Sequence, residues 1–379
     1  MKVLTFVTHP IQYQWPLFHA LERSTAVDLE VCYYTGYDGS GSTDPGFGRE
    51  VVWDVPVRPA TFRKFRAWGE RGAPEPARTF SPASVIHALR SRPDVVLLHS
   101  GLHAGDLAVL AACQARHIPT VCRPETLSDR RRGTVAFAMR SRVLRSADAV
   151  CAIGSRARCR LAEAGVPERR ILLSPYTIDV ERFKVARCLT RQQARERAGV
   201  PDGRPVVLFA GKLTARKRPV DLIRAMRRLD VPVRLVVAGA GELHDRVIAQ
   251  ARYNGVPVTD LGFVNQSEIP YVYRAADVLA MPSAWEPWGL AVNEAMACGT
   301  PVVCSTGVAA ADDLVRPLDD QFVHPTANEE VLGAALQFAL FGSQDELERR
   351  VVERIDQWTH REAVAGLLEA FDVAVGARG

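Results

Sequence analysis

Two glutamates bracket the run Glu286-Pro287-Trp288-Gly289-Leu290-Ala291-Val292-Asn293-Glu294. The residues before it, Asp277 to Pro282, read as a buried strand. Those after it, Ala295 to Pro301, read as a helix end leading to a further strand at Val302–Cys304. Glu286 is therefore expected on a strand-to-helix loop and Glu294 about a turn and a half inside the helix. The free N–H groups of such a helix start attract phosphate. A carboxylate on each side of a phosphate site suits a sugar joined to a nucleotide. The plainer account is one surface Glu beside one capping Glu, and spacing alone does not separate the two.

Other residues with usable chemistry follow predicted strands. Gly211-Lys212-Leu213-Thr214-Ala215-Arg216-Lys217-Arg218 places up to four cations past a strand end, where they would neutralise a diphosphate without a metal; a solvated basic loop has the same composition. Gly239-Ala240-Gly241 is a glycine turn after another strand, and lacks the third glycine of a dinucleotide fingerprint. In the first half, His9, Gln12 and Tyr13 follow one strand, His99 and His103 a second, Arg123 and Glu125 a third. Positions at carboxyl ends make these candidates for the acceptor side of a cleft, with His99 or His103 bonding a donor sugar or acceptor; structural hydrogen bonds to loop backbone are the alternative. Arg130, Arg131, Arg132, Arg140, Arg142 and Arg145 surround an apolar stripe of Val135, Met139 and Val143. It reads either as a solvated helix packed on the sheet or as a face touching an anionic membrane or lipid-diphosphate acceptor.

These residues need a scaffold of strands with loops gathered at one end. Continuous β-branched runs occur at Val3–Thr8, Leu29–Tyr34, Asp94–Leu98, Pro119–Cys122, Asp148–Ile153 and Ile171–Leu173. A second series, at 206–210, 233–238, 258–261, 278–281 and 302–304, alternates with helical patterns. Runs that are apolar throughout suit parallel sheets covered on both faces. Two such series predict an α/β protein of two doubly wound, Rossmann-like domains facing across a cleft: residues 1–185 on the acceptor side, with a C-terminal helix in 360–379 packing back on them, and 186–359 on the donor side. Between Thr35 and Ser81 the pattern is lost, save for a strand expected at Glu50–Val55. So long an irregular insert is more often functional than idle.

Composition narrows the classes. At 379 residues, 47% apolar and 24% charged, the chain is that of an ordinary globular protein. Its net charge of +5 favours acidic small molecules without demanding nucleic acid. Eight cysteines without a C-x-x-C pair read as buried reduced thiols, and nine histidines show no zinc spacing. No signal peptide or spanning stretch is read, so a cytoplasmic place is expected.

Taken together, the second-half segments resemble the glycosyltransferase family 4 group of GT-B enzymes. The matching elements run in order: Gly211-Lys212-Leu213 with Lys217, Gly239-Ala240-Gly241, Leu261-Gly262-Phe263-Val264, Ala275-Ala276-Asp277, and then Glu286-Pro287-Trp288-Gly289-Leu290 through Glu294 to Gly299-Thr300-Pro301. The resemblance covers roughly residues 145–310 well and the N-terminal part more loosely. It implies that Lys212 and Lys217 hold the donor diphosphate, with Gly211 and the helix start at Gly289 and Leu290 beside it. Glu294 would bind the ribose, Glu286 the donor sugar near the reacting carbon, and Gly262, Phe263 and Val264 would lie along the base. It also implies a retaining, hexosyltransferase-type reaction without metal or cofactor. The co-substrate would be a nucleotide sugar, UDP-linked before GDP-linked. The acceptor would be a hydroxyl of a saccharide, lipid-linked saccharide or natural product. No Asp-x-Asp pair stands where it would bridge a metal to a diphosphate.

There are departures. The first loop, Thr8-His9-Pro10-Ile11-Gln12-Tyr13, lacks the family's Gly-Gly pair. With Asp44-Pro45-Gly46-Phe47-Gly48 and Trp53-Asp54-Val55-Pro56 it is similar to a subgroup among polysaccharide and secondary-metabolite (antibiotic) transferases. Tyr176-Thr177-Ile178-Asp179 replaces the usual Asn-Gly-Val-Asp. The alternatives are a nucleotide-sugar epimerase of GT-B-like architecture and a non-catalytic nucleotide-sugar-binding subunit. A peripheral place at the inner face of a membrane goes with the basic helix; nucleic acid is not an expected partner.

Overall fold

The computed structural model describes residues 1–35, 43–44, 47, 49–56, 62–67, 76–99, 103–125, 134–201 and 203–378. In chain order the strands are β1 (Lys2–Val7), β2 (Asp28–Tyr33), β3 (Thr43–Asp44), β4 (Arg49–Glu50), β5 (Arg63–Lys64), β6 (Val95–Leu98), β7 (Thr120–Cys122), β8 (Ala149–Ala152) and β9 (Ile171–Leu173). Then come β10 (Val206–Ala210), β11 (Arg234–Ala238), β12 (Val258–Gly262), β13 (Val278–Met281), β14 (Val302–Ser305) and β15 (Val323–His324). The chain divides into two units.

The first unit, Met1–Ser40, Pro56–Thr177 and His360–Gly379, is built on a seven-stranded parallel sheet in the order β5-β2-β1-β6-β7-β8-β9. Alternate residues of each strand face opposite ways, and both faces are apolar. Leu4, Phe6, Val96, Leu98, Cys122 and Val150 share one core. Val3, Val95, Leu97, Val121, Ala149 and Cys151 enter another, completed by Ala363, Leu367, Ala370 and Phe371 of the helix His360–Gly376. Each large apolar side chain so buried contributes about 1.5–3 kcal/mol. That helix lies so close to β9 that a Cβ on Gly366 would fall 1.9 Å from the Leu173 carbonyl oxygen, so only glycine fits there.

The second unit, Gly41–Val55 with Ile178–Thr359, holds a six-stranded parallel sheet in the order β12-β11-β10-β13-β14-β15. The division falls between Thr177 and Ile178, ahead of the expected boundary after residue 185. The helix Val180–Lys184 and the turn after it belong with the second unit. Phe183 is buried there with its carbonyl taking the Cys298 thiol, and Arg187 donates to the Ala297 carbonyl at 2.7 Å.

Two expectations need correction, and some short strands were not expected. The strand expected over Glu50–Val55 stops at Glu50, where β4 pairs antiparallel with β3. Beyond it the backbone is satisfied by side chains instead: Asn265 Nδ2 donates to the Val52 carbonyl at 2.7 Å. A last strand, β15, was too short to read from the sequence. The cysteines are all reduced, but Cys159 and Cys188 are exposed rather than buried.

Candidate functional site

In an open parallel sheet the crevice lies past the carboxyl ends of the strands where the order reverses. In the second unit that point is between β10 and β13, whose following loops carry Gly211–Arg218 and Pro282–Gly289. The two loops are laced together. Arg216 accepts from the Ala284 N–H at 2.8 Å, and its guanidinium donates to the Trp285 carbonyl at 2.6 Å. The neighbouring turn after β11 closes on the first loop, with Gly211 N–H bonding Ala238 O at 2.9 Å. A Cβ on Gly239 would lie 1.9 Å from Gly211 O, which explains the glycine.

Glu286 sits between these loops. Its backbone N–H donates to Gly307 O at 3.0 Å, and its carboxylate meets Lys217 Nζ at 2.7 Å and an Arg216 guanidinium nitrogen at 2.9 Å. The side chain is 7% exposed. Burial opposes its charge, but Lys217 and then Arg216 outweigh burial and hold it below the usual carboxylate range. Gly289 adopts φ +108° at the start of the helix Leu290–Ala297, and a Cβ there would meet Val308 at 2.9 Å. Trp288 anchors the turn from beneath, donating to Asn293 Oδ1 at 2.7 Å and stacking on Trp358 with centroids 5.6 Å apart. Glu294, in the same helix, accepts from Tyr273 Oη at 2.7 Å. Burial raises its pKa, offset only in part by that bond and by Arg182 and Lys217.

Of the four cations in the basic loop, Lys217 and Arg216 turn to Glu286, while Arg218 (φ +54°) pairs with Asp221. Lys212 Nζ lies 4.8 Å from the Phe47 ring centre. Gly262 takes φ +59° and leads into Phe263, which meets Phe47 edge-on at 5.2 Å and Trp53 at 6.0 Å. Val264 is half-buried next to it.

The first unit reverses its strand order between β1 and β6, whose ends carry His9 and His99. Around them the structure assembles one polar group on Glu125. Its carboxylate accepts from Gln14 Nε2 at 2.9 Å and from Tyr176 Oη at 2.9 Å, with Arg123 at 3.5 Å and His99 Nδ1 at 3.6 Å. Against its burial, His99, Arg123 and Gln14 keep Glu125 below the usual carboxylate range. His99 packs edge-on against Phe18, and its buried Nε2 has no hydrogen-bond partner among the described residues. Arg123 is fixed by Ser174 Oγ, Ser174 O and Pro175 O. Burial, reinforced by the nearby His103, lowers His9 to about 4, so its imidazole is neutral at neutral pH. Tyr13 stacks edge-on with Tyr176, and His103 pairs with Asp106 at 3.5 Å.

The structure thus gathers His9, Tyr13, His99, His103, Arg123 and Glu125 in one unit, and Lys217, Glu286 and Glu294 in the other with Gly211, Gly289, Leu290 and the more distant Lys212, Gly262, Phe263 and Val264. Gln12 is half-buried and no hydrogen bond joins it to the Glu125 group. Sequence reasoning passed over Gln14, Tyr176 and Tyr273, and read Arg216 only as one of the cations for a diphosphate, not as a partner of Glu286. Tyr176 had been visible only as a departure from the family pattern, and Tyr273 lies a helix away from its carboxylate. Arg130, Arg131 and Arg132 lie outside the described residues. Glu30, Cys32 and His87 bring potential metal-ligand atoms within 4.8 Å of one another. Arg63 already bonds Glu30 at 2.7 Å and burial pushes the Cys32 thiol up, so the donor set does not suit a cation.

Two parallel, Rossmann-like sheets with chemistry-bearing loops at both reversal points define the GT-B architecture. Residues 190–358 match the sequence profile described as glycosyl transferases group 1, and residues 12–177 that of the glycosyl transferase 4-like domain. A D-inositol 3-phosphate glycosyltransferase of Geodermatophilus obscurus is 30% identical over 313 residues, 75% of this chain and 67% of that one. That of Xylanimonas cellulosilytica is 33% identical over 222 residues, 55% of this chain and 52% of its own. An uncharacterised glycosyltransferase of Methanocaldococcus jannaschii is 37% identical over 135 residues, 35% of either chain. The chain therefore spans about a third to a half of the length of these last two relatives. Among solved structures, Anabaena HepE in complex with UDP superposes with a TM-score of 0.74 at 16% identity, covering 98% of this chain and 100% of that one. Sucrose-phosphate synthase from Thermosynechococcus elongatus gives 0.70 at 20% identity over 97% of each. The chain belongs to the family 4 glycosyltransferases.

Proposed function

We propose that the protein transfers a sugar from a nucleotide-sugar donor, UDP-linked before GDP-linked, to an acceptor hydroxyl with retention. The observation that carries the reading is the buried Glu286 carboxylate held by Lys217 and Arg216 at the strand-order reversal of the second sheet. In this reading the donor diphosphate takes over the cations that Glu286 holds in the free protein, joined by Lys212 and the N–H groups at Gly289 and Leu290. Fixed positive charge of this kind stabilises a leaving diphosphate without a metal ion. The bond from the anomeric carbon to the diphosphate breaks, the acceptor oxygen attacks from the same face, and its proton passes to the departing phosphate oxygen. Glu286, freed from its cations, hydrogen-bonds the sugar hydroxyls, and Glu294 the ribose. On the other unit, Glu125 and His99 are the acceptor-side groups; His99 Nδ1 faces Glu125, and Nε2, without a hydrogen-bond partner among the described residues, would accept from an acceptor hydroxyl. Relatives named for inositol phosphate and a solved neighbour named for UDP support the donor and a polyol or saccharide acceptor. A lipid-linked acceptor at the inner face of a membrane is the second option, resting on the exposed Val135 and Met139.

The test is a transfer assay with UDP- and GDP-sugars, run with and without EDTA. Product configuration is read by NMR, and Glu286→Gln is compared with the unaltered protein. Turnover should survive EDTA, the anomeric configuration should be kept, and Glu286→Gln should lower kcat by about 100-fold, as losing one preorganised transition-state contact does. Its affinity for the nucleoside diphosphate should hold or improve, because the variant no longer competes for Lys217 and Arg216. Interconversion of the donor without acceptor would make the protein an epimerase. Donor binding with neither transfer nor hydrolysis would make it a non-catalytic subunit.

A further inference from the structure

We propose that Phe47 and the segment 49–54 are part of the donor site, forming an aromatic wall at its nucleotide end through Phe47 and Trp53; this rests on the function proposed above. By sequence the segment lies in the first half of the chain, yet its contacts place Gly41–Val55 in the second unit. The strands β3 and β4 pair antiparallel, and Phe47 lies in the turn between them. Beyond β4 the chain is fastened to the loop after β12. Asp54 accepts from the Ser267 N–H with both carboxylate oxygens, at 3.1 and 3.2 Å, and from the Ser267 hydroxyl. Asn265 Nδ2 donates to Val52 O at 2.7 Å, and Val51 is buried.

What this fastening delivers is specific. Phe47 and Trp53 both reach Phe263, the residue expected along the base, and the Phe47 ring lies 4.8 Å from Lys212 Nζ, a cation expected at the diphosphate. The segment therefore touches both ends of the nucleoside diphosphate's expected path, from two different loops of the sheet. A nucleobase offers a flat π face, and aromatic side chains bind such faces by stacking. Phe263 meets Phe47 at an interplanar angle of 84° and Trp53 at 56°, so the rings form a corner rather than one parallel stack. The anchoring bonds to Ser267 are solvent-exposed, and Phe47, Trp53 and Phe263 are each half-buried. A one-ring and a two-ring base would present different areas to these rings and so stack on them with different strength, which makes the segment a determinant of base preference.

The experiment measures affinities for UDP and GDP by calorimetry on the full chain for Trp53→Ala, Phe47→Ala and Lys217→Ala, with melting temperature alongside. If the proposal holds, each aromatic variant binds its preferred nucleotide about tenfold more weakly, in the lower part of the range that stacking on one side chain supplies. Its UDP-to-GDP ratio moves toward one, and its melting temperature is kept. The tryptophan emission change on adding nucleotide should also shrink in Trp53→Phe. Unchanged affinity and base ratio in both aromatic variants, with binding lost in Lys217→Ala, would overturn this inference and leave the donor site standing. Unchanged binding in Lys217→Ala as well, or no nucleotide binding by the unaltered chain, would remove the donor site and this inference together. Should an alanine variant fail to fold, Phe47→Leu and Trp53→Leu keep apolar bulk while removing the flat ring, and the same affinities decide.

Discussion

His9 sits where two opposing demands meet. It lies past the end of β1, at the reversal point of the first sheet, and bonds Thr8 Oγ1 through Nδ1 at 2.8 Å. Burial and the neighbouring His103 lower it to about 4, against an ordinary 6.5, while Glu125 pulls the other way. The folded protein thus keeps His9 neutral at a pH where the unfolded chain takes up a proton. As pH falls below 6.5 the unfolded state gains protons first, so the contribution of His9 to stability is present above 6.5. It is lost progressively down to about 4, where the folded form also protonates. The full swing is on the order of 3 kcal/mol. Denaturant midpoints measured from pH 7.5 to 4 should fall more steeply for the unaltered protein than for His9→Gln, which cannot titrate. Parallel slopes would show that His9 is solvated rather than buried.

Legibility at this scale follows from where information sits in the chain. Glu286, Glu294 and Lys217 were readable because each stands at a fixed offset from a predicted strand or helix. Their partners were not. That Lys217 would hold Glu286 at 2.7 Å depends on two loops 69 residues apart meeting at β10 and β13, and no local pattern encodes a pairing of non-consecutive strands. Tyr176 reaches Glu125 across a comparable gap, 51 residues, for the same reason.

Elements divide in the same way. The continuous apolar strands were legible because a parallel sheet covered on both faces requires them. The segment after β4 was not, since its backbone bonds go to the Asn265 side chain and its Asp54 carboxylate bonds the Ser267 N–H, more than 200 residues away, instead of forming a ladder. The helix Val135–Ser146 carries a reading that only experiment separates. Its N-cap Thr134 accepts from Phe137 N at 3.2 Å, and Leu144 and Ser141 are buried, so one face packs on the sheet. On the outside, Val135 and Met139 are 77% and 65% exposed, and Arg142 and Arg145 are exposed on the same helix. Single exposed apolar residues are ordinary on a helix that only covers a sheet, whereas an anionic surface would gain from both kinds, by about 1 kcal/mol per basic residue. Co-sedimentation with vesicles containing phosphatidylglycerol should therefore exceed that with pure phosphatidylcholine, weaken as salt is raised, and drop in Val135→Asp/Met139→Asp. Equal recovery with both vesicle types would leave this helix as a packed cover for the sheet alone. Among the described residues no helix is long and apolar enough to cross a membrane.

At the scale of the whole molecule, two sheets with their own buried faces carry two sets of polar loops, and the proposed diphosphate contacts all lie in one of them. Lys212, Lys217, Gly289 and Leu290 belong to the second unit, as do Phe263, Glu294 and the segment from Gly41 to Val55. A ligand stabilises whatever it binds by about 2.7 kcal/mol at 100 times its dissociation constant. For a cooperative unit of roughly 200 residues each kcal/mol moves the melting temperature by about 2–4 °C. UDP without its sugar should accordingly raise the transition of the second unit by about 5–10 °C. Added amide-exchange protection should be concentrated in the loops after β10, β12 and β13, with little change around Glu125. The net charge of +5 makes weak binding of any anion a competing explanation, and inorganic phosphate at the same concentration controls for it. If phosphate reproduces the shift, the protein is responding to charge. If UDP alone produces it and Lys217→Ala abolishes it while Glu286→Gln does not, the diphosphate is held by the cations that Glu286 occupies in the free protein. The carboxylate then acts as a stand-in for the donor until the donor arrives.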